Sequence, residues 1–215
     1  MKKSVYILAI FVFFSCNTQK TVVQEQQPIA SQKGTVDTKE TVIEIDMEAA
    51  TNPKENMETA LNKTVPYKES VILVGKANRE GLTQEPFNTW FSKNLDSYDV
   101  HEETVRAIEP LLKDVQIKAF MGTWCGDSKR ETPRFYKILD QAGFDYDNLS
   151  LITVTRQKNT PEKYEEGLNI TNVPTFIFYK DGKEINRIVE FPVESLEKDM
   201  LAILSGKEYK HSYAN

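Results

Sequence analysis

The sequence predicts an α/β domain built on a mixed central sheet with helices on both faces. Three observations carry this expectation. Helical stripes and strand-like runs alternate along the second half of the chain. The run "TFIFYK" (175–180) sets four apolar residues in succession, as a central strand covered on both sides requires. The "KDGK" that follows reads as a tight turn, so "EINRIVEF" returns as an antiparallel neighbour. With 215 residues, 40% of them hydrophobic, the chain can build one such domain and still carry further segments.

Order is expected from about Tyr67. "SVILVG" (70–75) reads as a strand and "EPFNTWFSKNL" (85–95) as a short aromatic helix, with Trp90, Phe91 and Tyr98 as core. "HEETVRAIEPLLKD" (101–114) puts Val105, Ile108, Leu111 and Leu112 on one helical stripe. "VQIKAFMG" (115–122) is a strand that runs into "GTWCGDSKRETP". Beyond it Phe135, Ile138, Leu139 and Ala142 repeat at helical spacing, and Gly143 stops the helix. "LSLITVT" (149–155) is the next strand, and Thr160-Pro161 offers an N-cap and a first-turn proline for a short helix. A last helix carries Val193, Leu196, Met200, Leu201 and Leu204 before Gly206. A strand–helix–strand unit followed by a hairpin gives the mixed sheet.

The N-terminal part is of another kind. Lys2 and Lys3 precede ten apolar residues, Val5 to Phe14, too few to span a bilayer as a helix, so residues 1–16 read as an export signal. Ser15-Cys16 closes the run and resembles a bacterial lipoprotein cleavage box with Cys16 as the lipidated residue, although Phe13 and Phe14 depart from the usual Leu-Ala. Plain secretion and an uncleaved anchor are the simpler alternatives. Asn17 after the cysteine favours the outer over the inner membrane. Residues 17–66 contain no Phe, Tyr or Trp and are rich in Gln, Thr, Lys and Glu. Such a segment cannot bury enough apolar area to offset its ordering entropy and reads as a disordered tether. A flexible coil of that length averages roughly 40 Å end to end. "TVIEIDM" (41–47) alternates like a strand but has no partner.

Losing residues 1–15 removes two of the 27 basic residues against 32 acidic ones, and the mature net charge is about −7. That argues against nucleic acid and anionic lipid surfaces as partners. His101 and His211 lie far apart in the chain, so no metal site is expected, and no motif calls for a cofactor. With lipid on Cys16, Cys125 is the one thiol left and no intramolecular disulfide can form.

The order of elements, taken with the motifs, resembles the thioredoxin-like family. Trp124-Cys125-Gly126 sits at a strand-to-helix step, Pro133 stands eight residues past Cys125, and "NVPTFIFYKDG" matches the segment holding the family's cis-proline. The resemblance covers residues 100–206. Residues 67–99 are then an N-terminal elaboration and 207–215 a tail. It implies that Pro174 is cis and faces Cys125, leaving the Val173 backbone to pair with an extended substrate. It also implies that Trp124, Gly126, Asp127, Val173, Pro174 and Thr175 frame the binding surface. Three positions depart from the pattern. Ser128 replaces the second cysteine, Asp127 the intervening proline, and Ala119 a buried acid that accepts a proton in thioredoxins.

Cys125 and Ser128 are the candidate catalytic pair. The thiolate is the attacking species, and the free N–H groups of a helix start favour the anion. Lys129 and Arg130 add positive charge, Ser128 offers a hydrogen bond to sulfur, and Asp127 opposes ionisation. Ser128 cannot expel a bound substrate, so release needs a thiol on the substrate, a small thiol or a membrane reductase. The expectation is therefore a membrane-tethered protein performing monothiol exchange, as isomerase or adduct remover. Its partners are cysteine-containing exported proteins or small thiols, with the domain facing the periplasm. The alternative is a non-catalytic substrate-binding or chaperone-like module. A single-cysteine peroxidase lacks its upstream proline here. The Cys-Gly-Phe-Ser turn of monothiol glutaredoxins differs at Asp127.

Overall fold

A computed structural model describes residues 60–214. Cys16, the export signal 1–16 and most of the segment read as a tether (17–66) lie outside the described residues. The end of that segment is ordered: strand β1 (Thr64–Tyr67) begins before Tyr67 and pairs antiparallel with β2 (Ser70–Leu73). Val65 and Tyr67 suit an extended chain, and β2 supplies the ladder that holds them there.

The run expected as one strand over 70–75 is two. Gly75 has φ +99°, a backbone conformation that L side chains rarely adopt, and there the chain leaves the β1–β2 ribbon. It continues as β3 (Gly75–Ala77), which pairs antiparallel with β5 (Leu149–Thr153). After the short helix α1 (Arg79–Leu82), helices α2 (Asn88–Asp96) and α3 (Glu102–Ile108) precede β4 (Val115–Met121). The helix expected through Asp114 ends early, in a 3₁₀ turn at Glu109–Leu111 that contains Pro110.

Helix α4 (Gly126–Gln141) follows the Trp-Cys turn. Gly143, at φ +62°, closes it, with its own N–H on Asp140 and the Phe144 N–H on Leu139. The hairpin β6 (Thr175–Lys180) and β7 (Lys183–Val189) turns through Asp181 and Gly182, both at positive φ, as two-residue hairpins require. Helix α5 (Leu196–Leu204) starts at Ser195, whose hydroxyl accepts from the Lys198 N–H. Val193, expected on its stripe, precedes the helix and is exposed.

The five-stranded sheet runs β3-β5-β4-β6-β7, with β4 and β5 parallel and the other pairs antiparallel. This is the expected mixed sheet flanked by helices. Ile117, Ala119 and Met121 of β4 point into the large core shared with α2 to α5, where the rings of Phe135 and Phe176 stack at 4.1 Å. Phe120, Ile152 and Ile177 point the other way, into a second cluster covered by Tyr164, Leu168 and Ile170. The segment that supplies this cover runs as successive turns over 161–168, not as the helix expected after Thr160-Pro161. Thr160 does cap the Tyr164 N–H, but Lys163 has φ +57°, which ends any helix after one turn.

Candidate functional site

The turn between β4 and α4 presents Cys125, the free cysteine among the described residues and half-buried. It is the N-cap of α4, and its backbone does the local work. The N–H donates to the Gly122 carbonyl at 2.8 Å, and the carbonyl accepts from Lys129 at 3.0 Å. The sulfur makes no capping bond. Instead the S–H donates to the Val173 carbonyl at 3.3 Å. Antiparallel pairing of β4 with β6, in the register Phe120↔Thr175, places the start of β6 beside the end of β4 and so creates this contact.

The Val173–Pro174 peptide is cis, as the resemblance implied, and both residues are buried. The Val173 carbonyl is not free in this state, because the thiol occupies it. Thr175 is buried, with its hydroxyl on the Asn172 carbonyl at 2.7 Å. Gly126 is exposed with open space where a Cβ would stand. Ser128 lies fully buried at the first turn of α4, and its hydroxyl accepts from the Gly122 N–H at 3.1 Å. The structure shows no bond from this hydroxyl to the sulfur; the hydroxyl accepts from the backbone of the cysteine turn and ties that turn to the helix.

The charges around the turn are paired. Arg130 reaches Asp127 at 2.7 Å and the buried Glu131 at 2.5 Å, and Arg134 approaches Glu131 at 3.4 Å. The Asp127 carboxylate therefore meets a guanidinium on its own helix. Glu131 as the buried anchor of two arginines was not legible in sequence, since only burial distinguishes it from a surface glutamate.

Trp124 is held from three sides. Its indole N–H donates to the Val154 carbonyl at 2.8 Å, and the Arg156 guanidinium lies 4.9 Å from the ring centre. Its ring also packs on Gly122 so closely that a Cβ there would stand 2.5 Å from the indole. Arg156 in turn donates to the Tyr67 hydroxyl at 3.2 Å. Behind the turn, the Thr123 hydroxyl accepts from the Leu73 N–H at 3.1 Å and ties β2 to the site.

Between the β1–β2 ribbon, α2 and this turn lies a cavity of about 740 Å³. Tyr67, Lys68, Val71, Trp90, Trp124 and Lys129 are among its lining residues. The sequence offered Trp90 as core; it is half-buried and lines this groove. No local signal marks the groove, because its walls come from three separate parts of the chain.

A family model described as Thioredoxin matches residues 99–202. Thioredoxin of Staphylococcus aureus is 33% identical over 86 residues, a span of 38% of this chain and 75% of that protein. Among solved structures, mitochondrial thioredoxin 3 from Saccharomyces cerevisiae is 26% identical. That match covers 38% of this chain and 73% of that one at a TM-score of 0.27. A Pseudomonas aeruginosa protein of unknown function is 14% identical, covering 55% of this chain and 81% of its own at a TM-score of 0.42. Cys125, Ser128 and Pro174 fall inside the matched residues, whereas the β1–β2 ribbon and α2 precede them.

Proposed function

This chain belongs to the thioredoxin family, and we propose that it exchanges thiols and disulfides through one sulfur, that of Cys125. The mixed sheet flanked by helices is the thioredoxin-like fold, and a thioredoxin domain points to thiol–disulfide redox chemistry in general. The single-sulfur reading rests on one observation. Cys125 stands half-exposed at the start of α4 against Val173–Pro174, while position 128 holds a buried hydroxyl.

The chemistry runs in two exchanges. The Cys125 thiolate attacks one sulfur of a substrate disulfide. A Cys125–substrate disulfide forms, and the other substrate sulfur leaves as a thiolate. As Cys125 ionises, its S–H bond to Val173 is lost and that carbonyl becomes free for an extended substrate backbone. A second thiolate then attacks the mixed disulfide and regenerates Cys125. If that thiolate belongs to the substrate, the disulfide is isomerised with no net electron transfer. If it is a small thiol or a reductase, the substrate sulfur leaves reduced and the oxidising equivalent passes to that donor.

The N-terminal residues complete the proposal. Export by residues 1–16 and lipid on Cys16 hold the domain in the periplasm, at the outer rather than the inner membrane, with exported cysteine-containing proteins within reach. The test uses the purified protein and a disulfide-bonded peptide, with mass spectrometry of the non-reduced products. Wild type yields a peptide adduct on Cys125 that added thiol releases, and Cys125→Ala yields none. No adduct from wild type, with peptide binding unchanged in Cys125→Ala, replaces exchange by the binding-module reading.

A further inference from the structure

We infer that the groove beside Trp124 is a peptide subsite, which takes an extended, acidic and apolar segment of the partner protein as an added strand on β2. The inference deepens the exchange reading by naming what the substrate presents beside its disulfide, and it rests on that reading only for the sulfur chemistry. Three features carry it: a free strand edge, an aromatic lining and cations without a carboxylate partner.

The strand edge comes from the register. In the β1–β2 pair Val65 faces Ile72 and Tyr67 faces Ser70, and the next N–H along, that of Val74, returns to the Lys63 carbonyl. Alternation therefore turns the backbone groups of Val71 and Leu73 away from β1. The Leu73 N–H is taken by the Thr123 hydroxyl, which pins that end of β2 to the cysteine turn. Val71, two residues earlier, directs its N–H and C=O toward the groove that it lines. Edge strands with groups of this kind accept extended peptides, and pockets alongside select the side chains.

The lining selects the class. Tyr67, Trp90 and Trp124 offer apolar faces in a cavity of about 740 Å³, within the range of roughly 300–1,000 Å³ typical of binding sites. Lys68 lies over Tyr67, Lys129 over Trp90 and Arg156 over Trp124. Among the described residues none of these three cations is ion-paired, and Glu69 is the one acid in the lining. On a chain of net charge −5 this is a local positive patch with aromatic floors. A segment alternating carboxylates with apolar side chains satisfies both, whereas one with lysines in place of the carboxylates meets the aromatic faces but is repelled by the cations. Trp124 and Lys129 belong to the turn and first helical turn that carry Cys125, so the groove shares its wall with the cysteine turn.

The probe is a thiol-free pentapeptide, Glu-Phe-Glu-Val-Glu, blocked at both ends, with its Lys-for-Glu counterpart. Each is titrated into the full chain by tryptophan fluorescence and calorimetry. The acidic peptide is expected to bind at least ~10-fold more tightly than the basic one. V71P removes the outward N–H without touching the β1–β2 ladder, and K68E with K129E reverses the charge on side chains that carry no core. Each is expected to weaken the acidic peptide by roughly 10-fold or more. Equal affinity for both peptides, or no loss in the charge-reversed protein, overturns the proposal. So does binding of glutathione disulfide in preference to the acidic peptide, which makes the groove a small-thiol site. The same acidic peptide extended by a cysteine in mixed disulfide with a small thiol reads the chemistry separately. Peptide binding without transfer to Cys125 sinks the exchange reading and leaves the groove standing. Transfer from small disulfides without peptide binding sinks the groove alone.

Discussion

One side chain separates the proposed single-sulfur exchange from that of a site with two cysteines. Ser128 is sealed in the first turn of α4, its hydroxyl fixed by Gly122, so nothing at that position can attack a disulfide on Cys125. Ser128→Cys supplies that attack: the introduced thiolate displaces the substrate as a thiolate and leaves a disulfide between Cys125 and position 128. Release of a peptide adduct without added thiol should rise at least ~10-fold in single-turnover mass spectrometry. The converse residue is Gly122. A methyl group there meets the Trp124 indole, which is already held by Val154 and Arg156. Gly122→Ala is expected to cost about 1–3 kcal/mol, as overpacking of a tight contact does, and to shift tryptophan emission as the ring moves. Denaturant melts and emission spectra read the two effects. Pattern reading singled out Cys125, Trp124 and Pro174 because each belongs to a motif. It passed over Arg156 and Thr123, whose contacts come from distant neighbours, and Glu131, which only its burial marks out.

Among the elements, β4, α4 and the start of β6 meet at the site, and the β1–β2 ribbon is fastened to it by one buried bond. Thr123→Val keeps the shape of that side chain but leaves the Leu73 N–H without its acceptor. The expected loss is about 1–3 kcal/mol, and amide exchange should quicken in Leu73 and the ribbon before it does in β4. The strands and most helices were legible because their apolar periods are local. Three of the exceptions have a plain physical cause. The single strand over 70–75 breaks at Gly75, whose positive φ a pattern of apolar residues does not reveal. The helix after Thr160 has sound start signals, yet Lys163 turns left-handed and the segment lies over Phe120, Ile152 and Ile177. Strand β1 at Thr64–Tyr67 read as tether up to residue 66 because the segment before it is polar and the strand's own stability comes from pairing with β2.

Across the whole molecule, the chain returns to the site at its far end. The Tyr209 hydroxyl donates to Asp199, the Ser212 hydroxyl donates to the Phe191 carbonyl, and the Tyr213 hydroxyl bonds Glu190, whose carboxylate also accepts from Asn172 beside the Val173–Pro174 peptide. The hydrogen bond to Glu190 raises the Tyr213 phenol, and Asp127 contributes to the same shift. His211 in this tail is held below the ordinary imidazole value, first by burial and then by Arg187, against a smaller pull from Glu184. Above the unfolded pKa of about 6.5 both states are neutral and stability does not change with pH through this group. Below it the unfolded chain takes up the proton more readily, so stability is lost as pH falls toward the lower folded value. Melting temperature should decline from about pH 7 to about pH 5 in wild type, and more shallowly in His211→Gln. The succession of elements, the place of the cysteine at a strand-to-helix step and the lack of a second sulfur beside it could all be read from the chain alone. These are matters of local spacing and residue identity. Folding alone decided that Cys125 meets a carbonyl 48 residues away, that Thr123 holds an amide 50 away, and that Arg156 joins Tyr67 across 89 residues. Contacts at such separations depend on strand register and chain crossing, which local spacing does not encode.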